Sequence, residues 1–307
     1  MSDQANAKTV VVTGSTGLVG EPLVSELSGR GWHVIRAVRR PVRNTKNELF
    51  WNPDSGEIER EKLEGVDAIV HLAGENIAAH RWSDTFKQRI HHSRTKGTLL
   101  ISEAIDALER KPGVLVCASA IGYYGNRGDE VLPESAAPGD DFLAHVCQQW
   151  EAACQPARDA GVRVANARIG VILSPDGGAL AKVLTPFKLG GGGIVGNGRQ
   201  FMSWIALNDV VSALRFVVET PSIAGPVNLT APHPVTNGEF TKTLGKVLSR
   251  PTIVPLPAFA AKLAFGEMGE ALLLSSTRVE SRVLQESDYE FALPELEPAL
   301  RSLLNKP

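Results

Sequence analysis

The sequence predicts an α/β fold, a doubly wound parallel sheet with a smaller C-terminal α/β lobe. Three observations carry this. Short apolar runs rich in β-branched residues alternate with amphipathic stretches through the first half. A glycine-rich turn follows the first of those runs. Prolines and glycines divide the second half into short pieces.

Taken in order, residues 8–13 read as a buried strand, because a β-branched apolar run ending in a glycine turn suits a strand covered on both faces. Residues 18–31 read as a helix that stops at Gly29 and Gly31. Strands follow over 33–38, 67–72 and 114–118, with a long polar helix over 83–108 between the last two. A helix over 142–160 and a strand over 162–169 close the first half. Such alternation requires parallel strands joined by crossover helices on both faces. Residues 8–170 are expected to form this domain, with 200–230 returning to it. Residues 171–199 and 231–307 are expected to form a substrate-side lobe and C-terminal extension, with helices near 237–249, 258–266 and 267–285. Gly190–Gly193 and Gly196-Asn-Gly198 read as a mobile loop over the substrate side.

Composition narrows the function classes. With 43% hydrophobic residues among 307, the chain can bury a large core. A net charge of -2 gives no basic footprint, so no nucleic-acid partner is expected. No apolar run reaches about 18 residues, so no membrane span is expected. The polar N-terminal residues lack a signal peptide's apolar segment. Cys117, Cys147 and Cys154 are an odd set, read as reduced, small buried residues in a cytoplasmic protein. The seven histidines form no His-x-x-x-His and no Cys-x-x-Cys exists, so no metal is expected. Neither a Gly-x-Ser-x-Gly elbow nor a P-loop ending is present.

The sharpest signal is Thr13-Gly-Ser-Thr-Gly-Leu-Val-Gly20, with glycines at 14, 17 and 20 between a strand and a helix. Gly14 permits a tight turn, Gly17 lets backbone approach a diphosphate, and Gly20 allows close packing. The helix start offers free N–H groups and partial positive charge to phosphates. Thr13, Ser15, Thr16, Leu18 and Val19 complete this Rossmann-type turn. An NAD-binding version places a carboxylate at the end of the second strand, about 20 residues on. Here Arg39 and Arg40 stand there, and guanidinium groups suit a 2′-phosphate. NADP(H) is therefore the expected cofactor. The plainer alternative is two surface arginines.

From Thr13 to Gly20 the chain resembles the extended short-chain dehydrogenase/reductases. Asp67-Ala-Ile-Val-His-Leu-Ala-Gly74, Arg94-Thr-Lys-Gly-Thr98, Ser119-Ala-Ile-Gly-Tyr-Tyr-Gly125 and residues 196–209 resemble further segments of that group. Ala73-Gly-Glu-Asn-Ile77, Arg81-Trp82, Ser93-Arg94 and Gln149-Trp-Glu151 narrow the resemblance to atypical epimerase-family (SDR39U1-like) proteins, which carry a C-terminal extension. The resemblance implies NADP(H) binding, with Arg39, Arg40, Leu72, Ala73, Gly74, Glu75, Arg94 and Arg168 contributing beside the glycine turn.

It also exposes a departure. The group's Tyr-x-x-x-Lys dyad is expected in residues 141–151, where Phe142 and Val146 fall at the Tyr and Lys positions. Neither can move a proton. Ser119 keeps the group's substrate-binding hydroxyl, and Tyr123 or Tyr124 is a displaced proton donor or a packing residue. His145 is a further proton source. Glu75 is a base, a selector against phosphate, or a partner of Arg81 or Arg94. Two readings follow. One is an NADP(H)-dependent oxidoreductase or epimerase-like enzyme acting on a small carbonyl or hydroxyl substrate. The other is an NADP(H)-dependent sensor or scaffold without turnover. A homodimer is compatible with both.

Overall fold

The computed structural model of the chain describes residues 7–306. Strand β1 (Thr9–Thr13) holds Val10, Val11 and Val12 with no exposure, as expected of a central parallel strand. Helix α1 (Gly20–Gly29) leads to β2 (His33–Val38), β3 (Glu48–Asn52), β4 (Glu57–Ile58) and β5 (Ala68–His71). Helix α2 (Asp84–Asp106) begins at Ser83, whose hydroxyl accepts from the Phe86 N–H. Then come β6 (Val114–Ala120), β7 (Val131–Leu132), α3 (Phe142–Ala152), α4 (Gln155–Asp159) and β8 (Arg163–Ile169). The single helix expected over 142–160 is two, because Pro156 cannot continue α3 but fits the first turn of α4.

The second half contains β9 (Val171–Ser174), α5 (Gly178–Lys188), β10 (Phe201–Met202), β11 (Trp204–Ala206), α6 (Leu207–Glu219), β12 (Gly225–Leu229), β13 (Val235–Thr236) and α7 (Asn237–Leu248). It ends with α8 (Ala258–Phe265), α9 (Glu267–Gly269), β14 (Arg278–Val279), α10 (Arg282–Glu286) and α11 (Leu296–Leu303).

Eight strands form the main sheet in the order β12-β8-β6-β5-β1-β2-β3-β4. All neighbours are parallel except the β3–β4 pair. The chain steps from β1 outward through β2 and β3, then returns to the other side of β1 with β5. That reversal makes β1 the switch point, where ligands of open α/β sheets bind at the strands' carboxyl ends. One core packs α1 and α6 against the sheet, with Leu23, Leu27, Val210 and Leu214. The opposite face packs α2 and α4, with Ile101, Ile105 and Ala157.

Two expectations are corrected. The helix over 267–285 breaks into α9, a π-turn at Glu270–Leu274, β14 and α10. Polar contacts override the helical period: Ser276 donates its N–H to Asn126 Oδ1, and its Oγ accepts from the Phe201 N–H. The glycines near 190 are not a free loop. The Val254 and Leu256 N–H groups donate to Gly192 O and Ile194 O, and a Cβ on Gly193 would lie 1.9 Å from Val254 O. The segment 196–209, which resembles the one that carries substrate contacts in the extended short-chain group, also holds the C-terminal part. Ser203 Oγ donates to Thr277 O and accepts from the Val279 N–H, and buried Asp209 accepts from the Ala292 and Leu293 N–H groups.

Helix α8 is held differently from the rest. It buries only Ala261, while Phe259 and Leu263 are 74% and 77% exposed. Polar contacts tie it and α9 down: Arg81 Nη2 donates to Leu263 O, and Lys87 pairs with Glu267 at 2.8 Å. Few apolar contacts mean local opening far below the global unfolding free energy. Hydrogen exchange of the α8 amides is therefore expected to be fast, and Lys87→Ala to accelerate it without moving the denaturation midpoint. Protection equal to that of β1 would contradict this account.

Candidate functional site

The glycine turn sits at the carboxyl end of β1. Gly14 takes φ +63°, and a Cβ there would stand 2.9 Å from the Leu72 carbonyl carbon and the Ala73 nitrogen. Gly20 is tighter: its Cβ would fall 2.1 Å from Gly14 O. Gly17 donates its N–H to Gly14 O at 3.0 Å and keeps its open side toward the groove described below. Val19 precedes the first turn of α1, and no side chain caps that turn. Leu18 packs against Gly177 and Gly178, and so joins the turn to the start of α5. Arg36 of β2, absent from the sequence expectations, donates to Ser15 O and braces the turn from beneath.

Thr13 does not face the groove. Its Oγ1 accepts from the Leu72 and Ala73 N–H groups at 3.1 and 3.2 Å and lies 2.7 Å from His71 Nδ1. It thereby ties the ends of β1 and β5. His71 is fully buried, and desolvation lowers its pKa to about 4, so the ring is neutral.

A groove of about 800 Å³ opens above these strand ends. Gly14, Ser15, Thr16, Gly17, Arg39, Arg40, Leu72, Ala73, Gly74 and Glu75 all line it, as anticipated. Sequence reasoning missed Trp51, Pro53 and Asp54, because β3 was not recognised. It also missed Arg89, His92, Ser93 and Lys96, although their spacing marks one face of the expected helix. The charges are mostly committed. Arg40 grips Glu48 in a two-pronged pair, and that carboxyl also accepts from the Arg43 and Asn44 N–H groups. The Arg40 hydrogen bond, foremost, holds the Glu48 pKa down at about 2. Glu75 pairs with Arg89 at 3.0 Å rather than with Arg81, and its backbone oxygen, not its carboxylate, accepts from Arg94. Arg94 lies under the groove with its guanidinium 5.0 Å from the Trp150 ring centroid, not along the lining.

Beyond the groove, at the ends of β6 and β8, a second polar cluster is closed on itself. Ser119 Oγ donates to Glu151 Oε1 at 2.7 Å. Arg168 donates Nε and Nη2 to the two oxygens of the same carboxylate at 2.8 and 2.9 Å. Its Nη1 donates to the Tyr124 hydroxyl, which donates in turn to Asn228 Oδ1. Arg168 is thus a structural cation of this cluster and does not line the groove. Tyr124 has no exposure, and burial pushes its pKa up to about 12, so it packs and does not meet a ligand. Tyr123 is half-buried, with the Arg168 guanidinium 3.4 Å from its ring centroid. His145 points out to solvent.

In α3 the residues expected at the dyad positions do not face the Ser119 end of the site. Phe142 and Val146 turn away onto Trp82, Phe86 and Ile90. Leu143 and Cys147 instead face Gly122, just beyond Ser119. One residue rotates a helix by about 100°, enough to exchange the two faces. Cys147 is fully buried, and desolvation raises its pKa to about 12. All three cysteines are free and buried. Among the described residues no cluster could hold a metal ion, and no helix is long and apolar enough to cross a membrane.

A glycine turn at the switch point of a doubly wound parallel sheet defines a Rossmann-type protein. The chain belongs to the NAD dependent epimerase/dehydratase family, whose model matches residues 10–229. Residues 256–303 match a second model, a domain of unknown function (DUF1731). An epimerase family protein of Mycobacterium bovis is 45% identical over 287 residues, 94% of either chain. Human epimerase family protein SDR39U1 is 34% identical over 298 residues, 96% of this chain and 99% of that one. A crystal structure of the human protein (isoform 2) with NADPH superposes with TM-score 0.88 at 33% identity, covering 97% of this chain and 99% of that chain.

Two outcomes follow from the turn. Gly20→Ala must push Gly14 O away, and an overpacking cost of about 1–3 kcal/mol is expected in denaturant unfolding. An unchanged midpoint would mean that the turn is soft. His71 gives a pH signature. The unfolded ring takes a proton near pH 6.5 and the folded one only near 4, so stability is lost as pH falls through that window. By pH 5 this amounts to about 2 kcal/mol relative to pH 7, and His71→Asn should remove that slope. An identical slope in the variant would exclude His71 as its source.

Proposed function

We propose that the chain binds NADP(H) along the groove and transfers hydride to or from a small carbonyl or hydroxyl compound. The observation that carries this is one groove bounded by an uncapped, glycine-lined helix start at one end and Arg39 at the other. Among the described residues Arg39 has no hydrogen-bond or ion-pair partner, so its charge is available to a 2′-phosphate. The close approach at Gly14 and the open side of Gly17 suit a diphosphate cradled by backbone N–H groups. The NADPH in the human relative's crystal structure supports the same reading. On this view, residues 8–170 with 200–230 form the nucleotide-binding domain, and the remainder forms the substrate-side lobe.

When bound, the nicotinamide supplies the hydride donor or acceptor. The chain's own residues must then position the substrate and move the proton. The usual Tyr and Lys are missing in either frame of α3, since Phe142 and Val146 or Leu143 and Cys147 occupy their places. Cys147 keeps its proton at neutral pH. Ser119, 3% exposed, donates its hydroxyl hydrogen bond to Glu151, which leaves an acceptor lone pair for a substrate hydroxyl that reaches it. Tyr123 is the partly exposed phenol beside it and is assigned the proton transfer. The closed Ser119–Glu151–Arg168 cluster also favours a second reading, a cofactor-state sensor without turnover.

Fluorescence titration is expected to show NADPH bound more tightly than NADH. With NADPH and a panel of carbonyl compounds, Ser119→Ala and Tyr123→Phe are each expected to lower kcat by about 100-fold or more. Turnover untouched by both would reject these roles. Firm NADPH binding with no turnover on any compound would favour the sensor.

A further inference from the structure

Resting on the reading that the groove takes NADP(H), we infer that Lys96 is the second cation that selects a 2′-phosphorylated adenosine over an unphosphorylated one. The argument begins with charge. A phosphate monoester carries between -1.5 and -2 at neutral pH, so roughly one guanidinium leaves it under-compensated. Four Lys or Arg side chains line the groove: Arg39, Arg40, Arg89 and Lys96. Arg40 is neutralised by Glu48, a carboxyl that stays ionised down to a pH of about 2. Arg89 is paired with Glu75. Arg39 and Lys96 remain, and neither has a hydrogen-bond or ion-pair partner among the described residues.

Position agrees with charge. Strands β2 and β3 run parallel with Val38 opposite Phe50, so Arg39 follows at the level of Trp51. On the other side, Gly97 packs its α-carbon against Trp51, and a Cβ there would lie 3.4 Å from the indole Cη2. Lys96 precedes Gly97 and lines the same groove. Arg39 and Lys96 therefore flank the Trp51 end, away from the glycine turn. A dinucleotide with its diphosphate on that turn has its adenosine at this end. Asp54, also in the lining, has no ion-pair partner among the described residues and increases the need for a cation there.

The test is the ratio of dissociation constants for NADPH and NADH, measured on the full chain at low and moderate salt. Lys96 is exposed, so its replacement should leave folding intact. Lys96→Gln is expected to weaken NADPH about tenfold while changing NADH by less than about twofold, as for the loss of one charged hydrogen bond. Lys96→Arg should keep the wild-type ratio, and added salt should shrink the difference between wild type and Lys96→Gln. Equal weakening of both nucleotides, or an unchanged ratio, would overturn the assignment. A rescue of Lys96→Gln by Asp54→Asn to the full wild-type ratio would also overturn it, because Lys96 would then serve only Asp54. If the wild-type chain bound neither nucleotide, the broader reading would fail first. If it bound NADPH and the ratio ignored Lys96, only the Lys96 role would fail.

Discussion

The site depends on how closely two strand ends approach each other. Gly14 lies so near Leu72 and Ala73 that no side chain fits between them, and Thr13 Oγ1 takes both facing N–H groups. Those N–H groups are part-buried at the top of the sheet. Each such hydrogen bond contributes about 0.5–1.5 kcal/mol, and a single hydroxyl that takes both helps set the registry of β1 against β5. With that registry set, the glycine turn, the floor at Leu72–Gly74 and the start of α1 share one rigid frame. The groove is a consequence of backbone packing, and side chains only decorate it.

A second constraint operates at the ends of β6 and β8. Arg168 is 3% exposed and its charge is balanced by Glu151. Removing one partner of such a buried pair typically costs about 3–5 kcal/mol, because the other charge is stranded. The cluster reaches further. Arg168 also donates to Glu134 O, and the Glu134 carboxylate accepts from the Asn228 and Val283 N–H groups. Residues singled out for chemistry thus sit inside a network that joins the sheet to α10. Variants of Glu151, Arg168 or Ser119, itself 3% exposed, would mix structural and functional effects, whereas Tyr123 lies partly exposed at its rim.

How much was legible follows from the range of the forces involved. The glycine turn, β1, β2 and α2 rest on local rules of period, capping and turn chemistry, and they appear within two residues of their expected bounds. Ten groove residues were legible because they adjoin those elements. Trp51 and Asp54 were not, since β3 is a short strand whose place is set by pairing with β2 rather than by its own pattern. Which face of α3 meets Gly122 was not legible either, because only packing sets it. Tyr124 and Arg168 looked like site residues because both lie at the carboxyl edge. Burial separates them from Tyr123 and Arg39, and burial is a property of the whole fold.

The same contrast explains the C-terminal segment. Its family match begins at residue 256, apart from the match that ends at 229, which suggests an appended unit. The contacts argue otherwise. Asp209 in α6 is fully buried yet spends its carboxylate on the N–H groups of Ala292 and Leu293. Thr230, just past β12, pairs with Ser281 at 2.7 Å, and β14 adds a strand to β7. Asp209 and β7 lie within the first matched region and Thr230 one residue past it, and a polar group that loses its partner inside a core is costlier than one never buried. The two regions are therefore interlocked by hydrogen bonds as one folded body. Helices α8 and α9, tied at the surface through Lys87 and Arg81, are held more loosely.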